Sequence, residues 1–258
     1  MKIDTDELFD EYLSEFIDNN SATLSASEIE KRIVELYEEF SSLPNEALGG
    51  LTPIEYYSNT STKDLISIFE EEIIEKGSVS DVLCRVLEKR VDAKESLLKF
   101  AFSKNEELSV YAINVLGAMG QKDALIAFVE VLSKEKLSQT VADVMTEAIC
   151  LNADLVKEEV LKVYKPTGIG AECFEEILSY VSSDERVFKI LCANFLNDGK
   201  KLAINASYLA KYGDDRALSI LYSTIKRKDI SLIDYSEIKN AIEKLGGEVE
   251  DDGRFLSH

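Results

Sequence analysis

Asp184-Glu-Arg-Val-Phe-Lys-Ile-Leu191 and Asp214-Asp-Arg-Ala-Leu-Ser-Ile-Leu221 stand thirty residues apart and agree at Asp, Arg, Ile and Leu. An aspartate opening an apolar, helix-patterned segment recurs upstream at Asp154, Asp123 and Asp92, so the steps along the five are 31, 31, 30 and 30 residues. After each comes an apolar triplet at i, i+4 and i+8, which places three side chains on one face of an α-helix. The triplets are Ala93/Leu97/Ala101, Ala124/Phe128/Leu132, Val156/Val160/Tyr164, Val187/Leu191/Phe195 and Ala217/Leu221/Ile225, with middle members 31, 32, 31 and 30 residues apart. A weaker copy, Leu65/Phe69/Ile73 after Asp64, extends the series towards the N-terminus. A fixed period of this length marks a repeat architecture. Thirty-one residues hold two helices of about 12 residues and two short turns, so each repeat is expected to be a helical hairpin.

In the clearest copy, Tyr111 to Gly120 supplies the first helix, Gly120 permits a left-handed C-cap, and Asp123 starts the second. Leu116-Gly-Ala-Met-Gly120-Gln-Lys-Asp-Ala124 and Leu209-Ala-Lys-Tyr-Gly213-Asp-Asp-Arg-Ala217 share Leu-x-x-x-Gly followed by Ala four residues on. This pattern resembles the HEAT-like repeat family, whose α-solenoids are scaffolds and binding surfaces. The copies at 154 and 184 depart from it, with Asn152 and Ser182 near the place of the glycine. The resemblance implies an all-α fold, an α-solenoid of stacked hairpins over residues 61–246. Since a lone hairpin cannot bury its apolar face, the terminal copies must cap the stack.

Residues 1–60 depart from the period and are expected to form an N-terminal helical cap. Leu8, Phe9, Tyr12, Leu13, Phe16 and Ile17 make one apolar stripe, and Ile29, Ile33, Val34, Tyr37 and Phe40 a second. Ser25 with Glu28 and Thr52 with Glu55 match the capping box, with Pro53 at a first helical position that needs no N–H. Residues 43–53, LPNEALGGLTP, cluster Pro and Gly and read as a connection. At the other end Ile238, Ala241, Ile242 and Leu245 read as the first helix of one more repeat, followed by a polar tail over 247–258 that is solvated or folded back.

The 258 residues carry 29 Lys and Arg against 49 Asp and Glu, a formal charge of −20, yet 45% are apolar, enough for a core and against disorder. Twelve Gly and three Pro are too few for the many turns of a β-sandwich or barrel. The acid-rich N-terminus lacks the basic start and apolar run of a signal peptide, and no run approaches the roughly 18 apolar residues of a membrane span. A cytoplasmic protein that does not bind membranes is the expectation.

Catalytic chemistry is sparse. The single histidine is His258, which leaves no imidazole for a triad or for acid–base work within the repeats. Cys84, Cys150, Cys173 and Cys192 are far apart and lie in apolar helical contexts, where a thiol packs as a small hydrophobe. Gly49-Gly50 and Gly168-Ile-Gly170 lack the downstream residues of a phosphate loop and read as turns. Asn197-Asp198-Gly199-Lys200 and Asp251-Asp252-Gly253 lack the alternating acids and distal Glu of a calcium loop. No enzyme activity, cofactor or metal is expected. Some HEAT-like proteins are glycosylases or chromophore lyases, but a strongly acidic chain without Trp is poorly suited to phosphates and base stacking, so no nucleic acid is expected.

Charge is uneven: residues 1–81 hold 20 acids and 5 bases, 82–198 hold 19 and 14, 199–244 hold 6 and 9, and the remainder 4 and 1. An acidic end attracts a basic partner. The leading expectation is a non-enzymatic module or scaffold that binds a protein or peptide on its concave surface. The alternative is an acidic, immunity-type inhibitor that masks a basic nuclease or toxin. By the resemblance the second helices line the concave side, and the positions opposite the buried triplet are Glu95/Lys99, Ile126/Glu130, Glu158/Lys162, Lys189/Ala193 and Ser219/Ser223. Glu95 with Lys99 and Glu158 with Lys162 also suit helix-supporting ion pairs. Tyr56 and Tyr57, beside the Gly49-Gly50 turn, are either exposed anchors for a partner or plugs of the first repeat.

Overall fold

The computed structural model describes residues 3–21 and 23–250. Among these the chain is all-helical, with sixteen α-helices packed in neighbouring pairs and no strand. It divides into two compact units, Met1–Met119 and Gly120–His258. The division falls at the glycine between the two helices of the clearest sequence repeat.

The first unit contains α1 (Thr5–Asn20), α2 (Ala26–Glu30), α3 (Ile33–Ser41), α4 (Pro53–Asn59), α5 (Thr62–Lys76), α6 (Asp81–Leu87), α7 (Lys94–Ala101) and α8 (Glu106–Met119). Residues 1–60 and the first repeat helices share this unit, with α4 packed on α6 and α5 on both α6 and α8. The Thr52–Glu55 capping box opens α4 with Pro53 in its first turn, the Glu55 amide donating to Thr52 Oγ1 at 3.1 Å and the Thr52 amide to Glu55 at 2.9 Å. Phe9, with Leu8, Tyr12, Leu13 and Phe16 around it, packs against Leu36 and Phe40.

The second N-terminal stripe is corrected here. A turn at Lys31 and Arg32 interrupts the expected helix and re-phases the residues after it. Val34 points outward at 76% exposure, and Leu36, fully buried, takes the core position beside Phe40.

The second unit contains α9 (Lys122–Lys134), α10 (Gln139–Cys150), α11 (Ala153–Val163), α12 (Ala171–Ser179), α13 (Glu185–Asn197), α14 (Leu202–Tyr212), α15 (Leu218–Ile225) and α16 (Leu232–Lys244). Here α10, α12, α14 and α16 pack successively side by side, and α11 packs on α9. The repeat triplets are buried throughout both units, from Leu65/Phe69/Ile73 to Ala217/Leu221/Ile225; Tyr164 alone among them is half-buried, because its hydroxyl has polar partners. Gly120 and Gly213 adopt the left-handed conformation (φ 61° and 80°) expected of the Leu-x-x-x-Gly signature.

The Asp-x-Arg element of the two matched segments has a tertiary cause. Asp184 caps α13 by accepting from the Arg186 amide at 2.9 Å and also takes the Arg186 guanidinium, which reaches on to Glu158 of α11 at 2.6 and 2.9 Å. Thirty residues later Asp214 holds Arg216 in the same way, and Arg216 reaches Glu185 at 3.0 Å while lying over the Phe188 ring. In both places the motif caps the helical turn that it opens and ties it to an earlier part of the chain, Glu158 or Glu185.

After α16, the Tyr222 hydroxyl donates to the Glu248 carbonyl and accepts from its amide, both at 3.0 Å, which folds residues 247–248 back onto α15. Residues 251–258 of the expected tail, with Asp251-Asp252-Gly253 and His258, lie outside the described residues. No described helix is long and apolar enough to cross a membrane.

Candidate functional site

The sequence-derived ladder lies on the surface: Glu95, Lys99, Glu130, Glu158, Lys162, Lys189 and Ser219 are exposed and Ile126 is half-buried. Much of its charge is already engaged. Glu158 turns to Arg186 rather than to Lys162, Glu130 pairs with Lys134 at 2.9 Å, Lys189 with Glu185 at 3.6 Å, and Glu95 meets Lys94 at 3.9 Å rather than Lys99. Glu130 and Lys189 pair within their own helices, and Glu158 joins its helix α11 to Arg186 of α13.

Tyr57 is not an exposed anchor, and this expectation is corrected. It is fully buried, its hydroxyl 3.0 Å from Thr5 Oγ1, which in turn donates to Ser80 at 3.0 Å, while Tyr37 reaches the same Ser80 at 3.2 Å. Tyr56 is half-buried against the Tyr57 ring. The pair plugs the first unit, because a hydroxyl at the tip of a ring can be buried when hydrogen-bonded partners wait for it.

A concavity lies in the second unit. It is an open groove of about 670 Å³ bounded by α10, the loop from Pro166 to Gly170, α12 and α14. Asp143, Glu172 and Glu176 stand on its rim; Ala142, Ala171, Ile204 and Tyr208 supply apolar and aromatic lining; Glu175 and Lys201 lie within it. Ile204 is exposed and Tyr208 half-buried, so a ligand can cover both.

Gly168-Ile-Gly170 is a turn, as its sequence suggests, and it also builds one wall of the groove. Gly170 has φ 68°, and a Cβ there would lie closer than 3.0 Å to the Leu132 carbonyl oxygen. Only glycine lets this loop pass so near the end of α9.

Glu175 is buried on the inner side of α12. Tyr164 donates to its Oε1 at 3.2 Å, and Asn194 donates to the Tyr164 hydroxyl at 2.8 Å, so α13 positions the carboxylate through an intermediate ring. Lys201 Nζ lies 3.0 Å from Glu172 and 3.7 Å from Glu175 Oε2. Burial pushes the Glu175 carboxyl above its ordinary range, partly offset by Lys201 and the Tyr164 hydrogen bond. Lys201 is raised in turn by its bond to Glu172. Cys173 also borders the groove, but burial raises its thiol, which makes it lining rather than a nucleophile. No described group of three or more His, Cys, Asp or Glu side chains is placed to hold a metal ion.

The sequence reading missed Glu175, Lys201 and Tyr208. A signal for Glu175 existed: it stands four residues after Ala171 and three before Leu178, inside the apolar stripe of its helix, where an acid needs a reason to be. Lys201 and Tyr208 look like ordinary helix residues until α12 and α14 are brought together. No protein-family model matches the chain, and no curated protein matches its sequence.

Proposed function

We propose that this chain is a non-enzymatic, HEAT-like interaction module and that the groove of its second unit holds a basic segment of a partner protein. The observation that carries this reading is the groove itself, with three carboxylates on the rim, a fourth beneath them and an apolar and aromatic lining between. Such a surface complements a segment that alternates Lys or Arg with apolar residues: the cations meet the rim and the aliphatic stems lie on Ile204 and Tyr208. Ties between residues 28 to 31 positions apart, such as Glu158 with Arg186 and Glu185 with Arg216, support a repeated scaffold.

The test is fluorescence anisotropy with a labelled peptide of alternating Lys and Leu, titrated with the full chain and with an Asp143→Asn, Glu172→Gln, Glu176→Gln variant. Loss of about three favourable charge contacts should weaken binding at least tenfold, and added salt should weaken the parent in the same direction. Equal binding by the folded variant would overturn the groove as the site.

The acidic inhibitor is a second reading, favoured by the 20 acids against 5 bases of residues 1–81 and by the exposure of Glu11, Glu15, Glu35, Glu38 and Glu39. Replacing those five by Gln and repeating a pull-down separates the two, since it should release a basic partner only if the first unit holds it.

A further inference from the structure

A pocket of about 240 Å³ lies between α4 and α6 in the first unit. Val82 and Val86, both buried, and the exposed Ile54 give it an apolar lining. Its charged lining is wholly cationic: Arg85, Lys89 and Arg90 border it, and no described acid does. That sign is opposite to the surroundings, since residues 1–81 hold 20 acids and 5 bases.

The three cations are held to different degrees. Arg90 donates through Nη2 to the Ser58 and Thr60 carbonyls at the end of α4, which fixes its guanidinium. Arg85 reaches Glu38 of α3 at 2.6 Å, a pair half exposed to solvent. Lys89 is exposed and makes no ion pair or side-chain hydrogen bond among the described residues. Helix-end carbonyls account for Arg90 and a surface acid for Arg85, whereas the Lys89 ammonium stands unpaired beside an apolar hollow.

We infer that this pocket binds a carboxylate carried on a short aliphatic body, with Lys89 as its ion-pair partner. An ammonium is a compact donor, and the neighbouring Arg85 and Arg90 charges add a favourable field without giving up the bonds they already make. The aliphatic body would cover Ile54, Val82 and Val86, the usual division of labour in a small-molecule site. The volume gives room for about eight water-sized atoms at roughly 30 Å³ each, the size of hexanoate. A free small acid and the C-terminal carboxylate of a chain ending in an aliphatic residue share this chemistry. Nothing in this site draws on the second-unit groove.

Isothermal titration calorimetry of the full chain with hexanoate, butyrate and hexan-1-ol tests the site, and acetyl-Gly-Leu with a free or an amidated C-terminus tests the second source. Butyrate should bind about fifteenfold more weakly than hexanoate, two methylenes at roughly fourfold each. Hexan-1-ol and the amidated dipeptide should show no saturable binding. Lys89→Met, which keeps the stem, should weaken hexanoate about tenfold. Lys104→Met, at an exposed lysine of the same unit that does not line the pocket, should leave it unchanged. Ile54→Ser should narrow the preference for hexanoate over butyrate. Tighter binding of the free-carboxylate dipeptide than of hexanoate identifies a chain terminus as the source and the reverse identifies a free acid, and either result supports the site. Circular dichroism melts confirm that each variant is folded. No saturable hexanoate binding by the parent, equal binding of hexan-1-ol, unchanged binding by folded Lys89→Met, or a loss in Lys104→Met matching that in Lys89→Met would each overturn the site.

Discussion

Replacing Gly170 by Ala isolates the backbone geometry that shapes the groove. Two costs act at this position. A left-handed residue with a Cβ costs roughly 1–2 kcal/mol relative to glycine, and φ at Gly170 is 68°. The added carbon would also press on the Leu132 carbonyl oxygen, a backbone atom at the end of α9 that cannot rotate away as a flexible side chain would. Relief requires moving the loop or α9, and overpacking of that kind costs typically 1–3 kcal/mol. The combined loss expected is therefore about 2–5 kcal/mol. Gly213→Ala serves as the control: its φ is 80°, but the nearest atom to a new Cβ is 3.9 Å away, so it carries the conformational cost alone. Urea unfolding of both variants, followed by circular dichroism and with hydrogen exchange assigning the transition to the second unit, reads the difference. Gly170→Ala should lose at least about 1 kcal/mol more than Gly213→Ala, by the overpacking cost. Equal losses would refute the claim that close approach to Leu132, rather than the turn alone, demands glycine.

Leu191, 2% exposed in the middle of its triplet, should cost about 2–5 kcal/mol when replaced by Ala, measured by the same urea unfolding. Tyr57→Phe removes the hydrogen bond to Thr5 but leaves Thr5 bonded to Ser80, so a loss of about 0.5–1.5 kcal/mol is expected in the first unit's unfolding. Glu72 of α5 is pushed up to about 7 by burial and by the nearby acids Asp4 and Asp6, against the opposing pull of Lys76, which pairs with Asp4. Its folded value lies above the unfolded one, so the stability it contributes is full below about pH 4.5 and is lost as pH rises through 7. The part-exposed site reduces the effect to about 1–2 kcal/mol. Unfolding measured from pH 5 to 8 should show the decline, and Glu72→Gln should flatten it; an unchanged slope in that variant would assign the pH dependence to other groups.

Local periodicity was sufficient for much of this molecule. Helices, their caps and the buried triplets depend on neighbours three, four and eight positions away in the chain, so the amino-acid order alone marked Leu97, Phe128, Val160, Leu191 and Leu221 as core, and all five are buried. The Thr52–Glu55 box and the left-handed Gly120 and Gly213 were legible for the same reason. Where an outcome depended on which helix lies beside which, the order of residues was silent. Val34 and Leu36 exchanged roles because a turn rotated the helix face, and Tyr57 went inside because Thr5 stood 52 residues away to receive its hydroxyl. Glu158 found Arg186 of α13 instead of Lys162 of its own helix, since the guanidinium of a capped Asp-x-Arg turn reaches across to α11. The groove is the clearest case: α10, α12 and α14 each contribute side chains that are ordinary on their own helices, and only their packing encloses Glu175 between the Tyr164 hydroxyl and the Lys201 ammonium. Helical register is a property of the local chain, whereas a site is a property of the distances that packing sets.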